Sequence, residues 1–93
     1  MRHFTPEDRL SRTSGLLSTE LDGETVLMSI DAGAYYGLAG VARRIWEKLE
    51  NPTSFSELVD CLQREYRVSR ETCVSDVQKF LAEIEREGLL RVE

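Results

Sequence analysis

The sequence predicts an α+β domain: a three-stranded antiparallel β-meander followed by three α-helices in a winged helix-turn-helix arrangement. Three observations predict it. Two alternating segments, LLSTEL (16–21) and ETVLMSI (24–30), flank Asp22-Gly23, a strong two-residue hairpin signal. Past residue 38 the apolar period lengthens from that of a strand to that of a helix. A short turn, Arg67-Val68-Ser69, then joins the last two helices as in a helix-turn-helix.

Each element has its own local reason. Residues 1–14 are polar, carry Pro6 and show no period, so they read as a flexible N-terminal arm ahead of one domain, 15–93. In the hairpin Val26, Met28 and Ile30 share one face, and Thr25, Leu27 and Ser29 the other. Asp31-Ala32-Gly33 makes the next turn, and AYYGL (34–38) the third strand. Leu38, Val41, Ala42, Ile45, Trp46 and Leu49 recur at helical spacing, with Trp46 assigned to the core. That helix stops at Asn51, because Pro52 disfavours the α conformation just before it.

Ser54-Phe55-Ser56-Glu57 is a capping box for a second helix whose apolar face is Phe55, Leu58, Val59, Leu62 and Tyr66. Ser69 caps the third, with Val68 and Cys73 spaced as a hydrophobic staple. That helix runs to about Glu87, where Gly88 supplies the left-handed residue that ends it. LLRV (89–92) leaves as a short extended tail.

Composition narrows the function classes. Hydrophobic residues make up 41% of the 93 and charged residues 31%, a globular balance. No apolar run approaches the roughly 20 residues of a membrane span. MRHFTPEDRL lacks the apolar core of a secretory signal, so a soluble, cytoplasmic protein is expected, with no membrane partner. Cys61 and Cys73 match no zinc or redox spacing, and His3 is the sole imidazole, so neither a metal site nor a cofactor is expected. Carboxylates abound, but none forms an interpretable acid/base pair, and no Gly-rich phosphate loop is present. The chain therefore reads as a binding protein and not an enzyme.

A helix-turn-helix shape raises DNA binding as the alternative. The net charge of −5 argues against it, because phosphate contacts dominate such affinity. The third helix, which would enter the groove, carries Arg70, Lys79 and Arg86 against Glu71, Asp76, Glu83, Glu85 and Glu87. Arg43-Arg44 is the only basic pair, and no nucleic-acid partner is expected. A structural or regulatory subunit with a folded client is the third reading.

Several pieces in order and spacing carry a family resemblance. They are Val26-Leu27-Met28, Gly33, Tyr35-Tyr36-Gly37-Leu38, Ile45-Trp46, Asp76-Val77 and Gly88-Leu89. Over residues 16–92 the chain resembles the PqqD-like family, the recognition elements for ribosomally synthesised, modified peptides. It is most similar to the stand-alone leader-binding proteins of lasso peptide clusters. The family commonly has asparagine and glycine where this chain has Ala39 and Ala42, so the start of the first helix departs from its pattern.

The resemblance implies a winged helix-turn-helix that binds the leader segment of a precursor peptide as an added strand, between the third strand and the third helix. It also implies delivery to a transglutaminase-like leader protease or another modifying enzyme. Carried onto this sequence, the site is Ala34, Tyr35, Tyr36, Gly37 and Leu38 on the strand, with Asp76, Val77, Phe80 and Ile84 on the helix.

These residues suit that role physically. An edge strand offers unpaired N–H and C=O groups to another chain. Period two sends Tyr35 and Tyr36 to opposite faces, one inward and one into a pocket, without assigning which. Gly37 admits a closely approaching backbone, or else marks a bulge. Asp76, Val77, Phe80 and Ile84 share one helix face, on which Asp76 is either an acceptor for the leader or a solvated carboxylate.

Overall fold

The hairpin at residues 22–23 sets the register of everything beside it. In the computed structural model, which describes residues 3–93, β2 (Leu16–Leu21) and β3 (Glu24–Ser29) pair antiparallel with Leu21 opposite Glu24. Asp22 and Gly23 both take positive φ, 52° and 80°, as a type I′ turn demands. A further turn, closed by Gly33 N–H donating to Ser29 C=O at 2.9 Å, brings β4 (Ala34–Leu38) back along β3. The sheet order is β2-β3-β4, so β4 is an edge.

The helices start and stop where local chemistry permits. α1 (Gly40–Lys48) ends ahead of Pro52. α2 (Phe55–Tyr66) is capped by Ser54, whose Oγ accepts from Glu57 N–H, and ends at Arg67 in the left-handed region. Ser69 Oγ accepts from Thr72 N–H to cap α3 (Arg70–Arg86). Beyond α3, Leu89 N–H donates to Ile84 C=O at 2.8 Å and Gly88 N–H to Glu85 C=O at 3.0 Å, a Schellman termination made possible by φ +79° at Gly88. Leu27, Leu38, Ile45, Trp46, Leu58, Leu62, Val77 and Leu81 form the centre of one continuous core.

A second small sheet departs from the sequence expectation. Within the arm expected to be loose, β1 (Arg9–Arg12) pairs antiparallel with β5 (Thr53–Ser54) on one side and β6 (Leu90–Val92) on the other. Phe4 and Leu10 are fully buried. The expectation for residues 3–14 is thus corrected, and positions 1 and 2 of the arm lie outside the described residues. The physical reason is that one apolar residue in a four-residue strand leaves no periodic signal, and its partners lie some 40 and 80 positions away. The short extended tail expected at 89–92 is extended as β6, paired with β1.

Candidate functional site

The free edge of β4 faces α3 across a groove. Two-residue hairpin geometry fixes which backbone groups line it. The pair flanking a type I′ turn is hydrogen-bonded, and hydrogen-bonded pairs then alternate along the ladder. Glu24, Val26 and Met28 therefore bond to β2, and Thr25, Leu27 and Ser29 turn their N–H and C=O groups toward β4. Their register partners are Leu38, Tyr36 and Ala34. Tyr35 and Gly37 consequently point their N–H and C=O groups outward from the sheet, into the groove.

Side chains follow the opposite alternation. Tyr36 and Leu38 lie on the inner face with Leu27 and Thr25, while Tyr35 stands on the outer face, 73% exposed. The groove has a volume of about 270 Å³ and is walled by Tyr36, Gly37 and Leu38 on one side and Phe80, Glu83, Ile84 and Glu87 on the other. At one point the walls touch: Tyr36 Oη donates to Glu87 Oε2 at 3.2 Å. Partial burial, and then the bond to Glu87 and its charge, hold the Tyr36 phenol above its ordinary pKa, so it stays protonated as a donor at neutral pH.

Gly37 sits in step opposite Val26, with no bulge in the register. A Cβ there would meet only Glu24 Oε1 at 3.9 Å. The glycine is therefore not required by the free fold, and leaves the edge low where a second backbone can approach.

The structure divides the expected helix residues between two hollows. Phe80 and Ile84 face the groove; Ile84 is buried floor and Phe80 is half-buried wall. Asp76 and Val77 line a neighbouring apolar hollow with Val41, Tyr66, Val68 and Cys73, and Asp76 is exposed at its rim. Desolvation, and then the Asp76 carboxylate, push the Cys73 thiol upward, so it remains a neutral wall group. Ala34 is half-buried at the start of β4 and lines neither hollow. Sequence reasoning overlooked Glu83 and Glu87. Their spacing from Asp76 and Phe80 (76, 80, 83, 87) continues one helical face, which was the available signal.

The outer sheet face is also apolar. Leu17, Met28 and Tyr35 stand in one cross-strand row, with Val26 beside them, and Leu17 is 53% exposed.

The basic pair of α1 is spoken for. Arg43 reaches Glu20 at 3.0 Å, and Arg44 reaches Glu65 at 2.7 Å and Glu47 at 3.7 Å. Among the described residues no cluster of His, Cys, Asp or Glu is arranged to hold a metal ion, and no helix is long and apolar enough to cross a membrane.

An edge strand held opposite an amphipathic helix, with main-chain donors and acceptors facing a part-apolar groove, gives a domain of winged-helix form with one sheet edge left open. Residues 24–90 match the family described as coenzyme PQQ synthesis protein D, and the chain belongs to this PqqD family. It is similar to the solved structure of TbiB1 in complex with the TbiA(beta) leader peptide. That likeness has a TM-score of 0.81 at 34% identity and covers 87% of this chain and 94% of that one. It also shares the fold of lasso peptide synthetase B1 complexed with the leader peptide, with a TM-score of 0.78 at 21% identity over 88% and 96% of the two chains. No curated protein sequence matches the chain.

Proposed function

We propose that the chain captures the leader segment of a ribosomally synthesised precursor peptide, of the lasso class, as an added β-strand on β4. The observation that carries this reading is the outward main chain of Tyr35 and Gly37, set across the groove from Phe80. Strand addition gives affinity through backbone hydrogen bonds and selectivity through pockets for alternate side chains. Here Tyr36, Leu38 and Phe80 supply apolar and aromatic contact, and Ile84 the floor. β2 is the other edge of the same sheet, but none of its residues lines the groove shared with α3. The likeness to a TbiB1 structure that holds a leader peptide supports the same assignment.

The chain itself catalyses nothing in this reading and hands the peptide to a transglutaminase-like leader protease or another modifying enzyme. A leader docked on β4 extends the sheet, and the apolar row Leu17–Met28–Tyr35 then lies beside it as a surface for that enzyme. Unpaired Cys61 and Cys73 suit a reducing cytoplasm. Nucleic acid is disfavoured by Asp76, Glu83 and Glu87 along the exposed face of α3 and by the neutralised Arg43-Arg44 pair.

The test is calorimetric titration with a synthetic leader of the precursor peptide encoded beside this chain's reading frame. Saturable one-to-one binding is expected. Absence of heat at high micromolar peptide, with circular dichroism reporting a folded protein, would contradict the proposal.

A further inference from the structure

Gln78 is a polar side chain buried on α3, 7% exposed, and none of the groove contacts uses it. Its amide grips one residue of the N-terminal segment from both sides. Phe4 N–H donates to Gln78 Oε1, and Gln78 Nε2 donates to Phe4 C=O, each at 2.7 Å. The side chain thus stands in for a neighbouring strand, satisfying both main-chain groups of a residue that is 1% exposed.

The rest of the segment is tied just as closely. The Phe4 ring stacks on Phe55 of α2, with centroids 6.2 Å apart and an interplanar angle of 7°. Pro6 C=O and Asp8 C=O accept from Ser56 N–H and Phe55 N–H, two of the unpaired donors at the start of α2, at 3.1 and 2.9 Å. Thr5 N–H donates to Asp8 Oδ2 at 2.8 Å, which closes the turn between these holds. The held residues, 4–8, lie before residue 24, where the match to the PqqD family begins, whereas Gln78, Phe55 and Ser56, which hold them, lie within it.

The clamp grips the back of the groove wall. At about 100° per residue, Gln78 is roughly 200° around the helix from Phe80 and roughly 180° from Glu87. The face that Phe4 holds is therefore opposite the face the leader meets. Resting on the leader-capture reading above, we infer that Phe4 and Gln78 set leader affinity from behind the groove, with Gln78 acting as a positioning residue that seats α3 at the spacing an added strand requires. An incoming strand must bond to β4 and pack on Phe80 together, so a displaced wall loses one set of contacts to keep the other. Holding the wall in place before the peptide arrives removes that ordering cost from binding.

Two full-length variants test this, titrated with the fluorescently labelled leader of the adjacent precursor, at temperatures where melts show the protein fully folded. Gln78→Leu keeps apolar bulk but removes both hydrogen bonds between Gln78 and Phe4. It is expected to bind about tenfold more weakly, a loss that a purely stabilising role would not produce in a fully folded sample. Gln78→Glu serves as the conservative variant. Its ionised carboxylate accepts from Phe4 N–H but repels Phe4 C=O, whereas its protonated form restores donor and acceptor together. Its affinity relative to wild type is expected to rise as pH falls from about 8 to about 5, since burial raises a carboxyl pKa. His3, Arg70, Glu71 and Lys79 are the charged or ionisable groups around the adjoining hollow, and they are present in both proteins.

If Gln78→Leu does not fold, the pH ratio of Gln78→Glu decides. A folded Gln78→Leu that binds as wild type does, or a flat ratio, would overturn the inference and leave leader capture standing. Failure of the wild-type chain to bind would overturn both.

Discussion

Gly37→Pro is expected to give a folded protein that has lost leader binding, and Tyr36→Pro a protein destabilised before any peptide is added. Both follow from the hydrogen-bonding phase set by the Asp22-Gly23 turn. Proline removes a donor wherever it stands. At position 37 that donor faces the groove, so the free protein gives up no ladder bond. A Cβ is accommodated there, and the extended conformation a following proline imposes on Tyr36 is one a strand already has.

At position 36 the lost donor is the one Leu27 C=O accepts, inside the sheet. Leaving it unmade costs about 1–3 kcal/mol. Tyr35→Pro is expected to behave like Gly37→Pro, and Ala34→Pro like Tyr36→Pro. Tyrosine-to-alanine controls at 35 and 36 separate loss of the ring from loss of the N–H. Thermal melts and leader titrations on the same set check the alternation, with affinity at 35 and 37 expected to fall about 10- to 100-fold, the equivalent of one or two lost hydrogen bonds.

Phe80→Ala is expected to weaken leader binding by about 2 kcal/mol or more, the cost typical of an aromatic anchor in a desolvated pocket. Phe80 is half-buried at the groove wall while its neighbours Val77, Leu81 and Ile84 carry the core, so the melting temperature is expected to move little. Tyr36→Ala is expected to fall in the same class, because its ring walls the groove and its hydroxyl spans to Glu87. Tyr35→Ala is expected to cost less than either, since that ring lies on the other face of the sheet. Titration calorimetry of the three variants ranks them directly; Tyr35→Ala proving the most damaging would reverse the assignment of the two tyrosines.

The features legible in the sequence were those written in consecutive residues. Asp22-Gly23 forms the hairpin turn, Ser54 and Ser69 cap their helices, and Gly88 ends α3. β1 and β5 were not legible, because each is four residues or fewer and pairs only with distant chain; of β6 the extended course was legible but not its pairing with β1. Alternation established that Tyr35 and Tyr36 oppose one another but not which faces the helices. Hydrophobicity would even have misled: the inner face of β3 carries Thr25, Leu27 and Ser29, while the more apolar Val26 and Met28 look outward. A helical face likewise does not reveal how many hollows it passes, and so Asp76 and Val77 fell beside the groove and not within it. The clamp on Gln78 left no mark in sequence, since a glutamine bonded to a main chain 74 positions away looks like any surface glutamine.

The most direct measurement of the central claim is residue-resolved amide hydrogen exchange of β4, with and without leader. Tyr35 and Gly37 amides are expected to exchange quickly in the free protein and to become protected when leader binds. Ala34 and Tyr36 amides, already bonded to β3, are expected to be protected in both states. Saturating leader that leaves the Tyr35 and Gly37 amides unprotected would contradict strand addition at this edge.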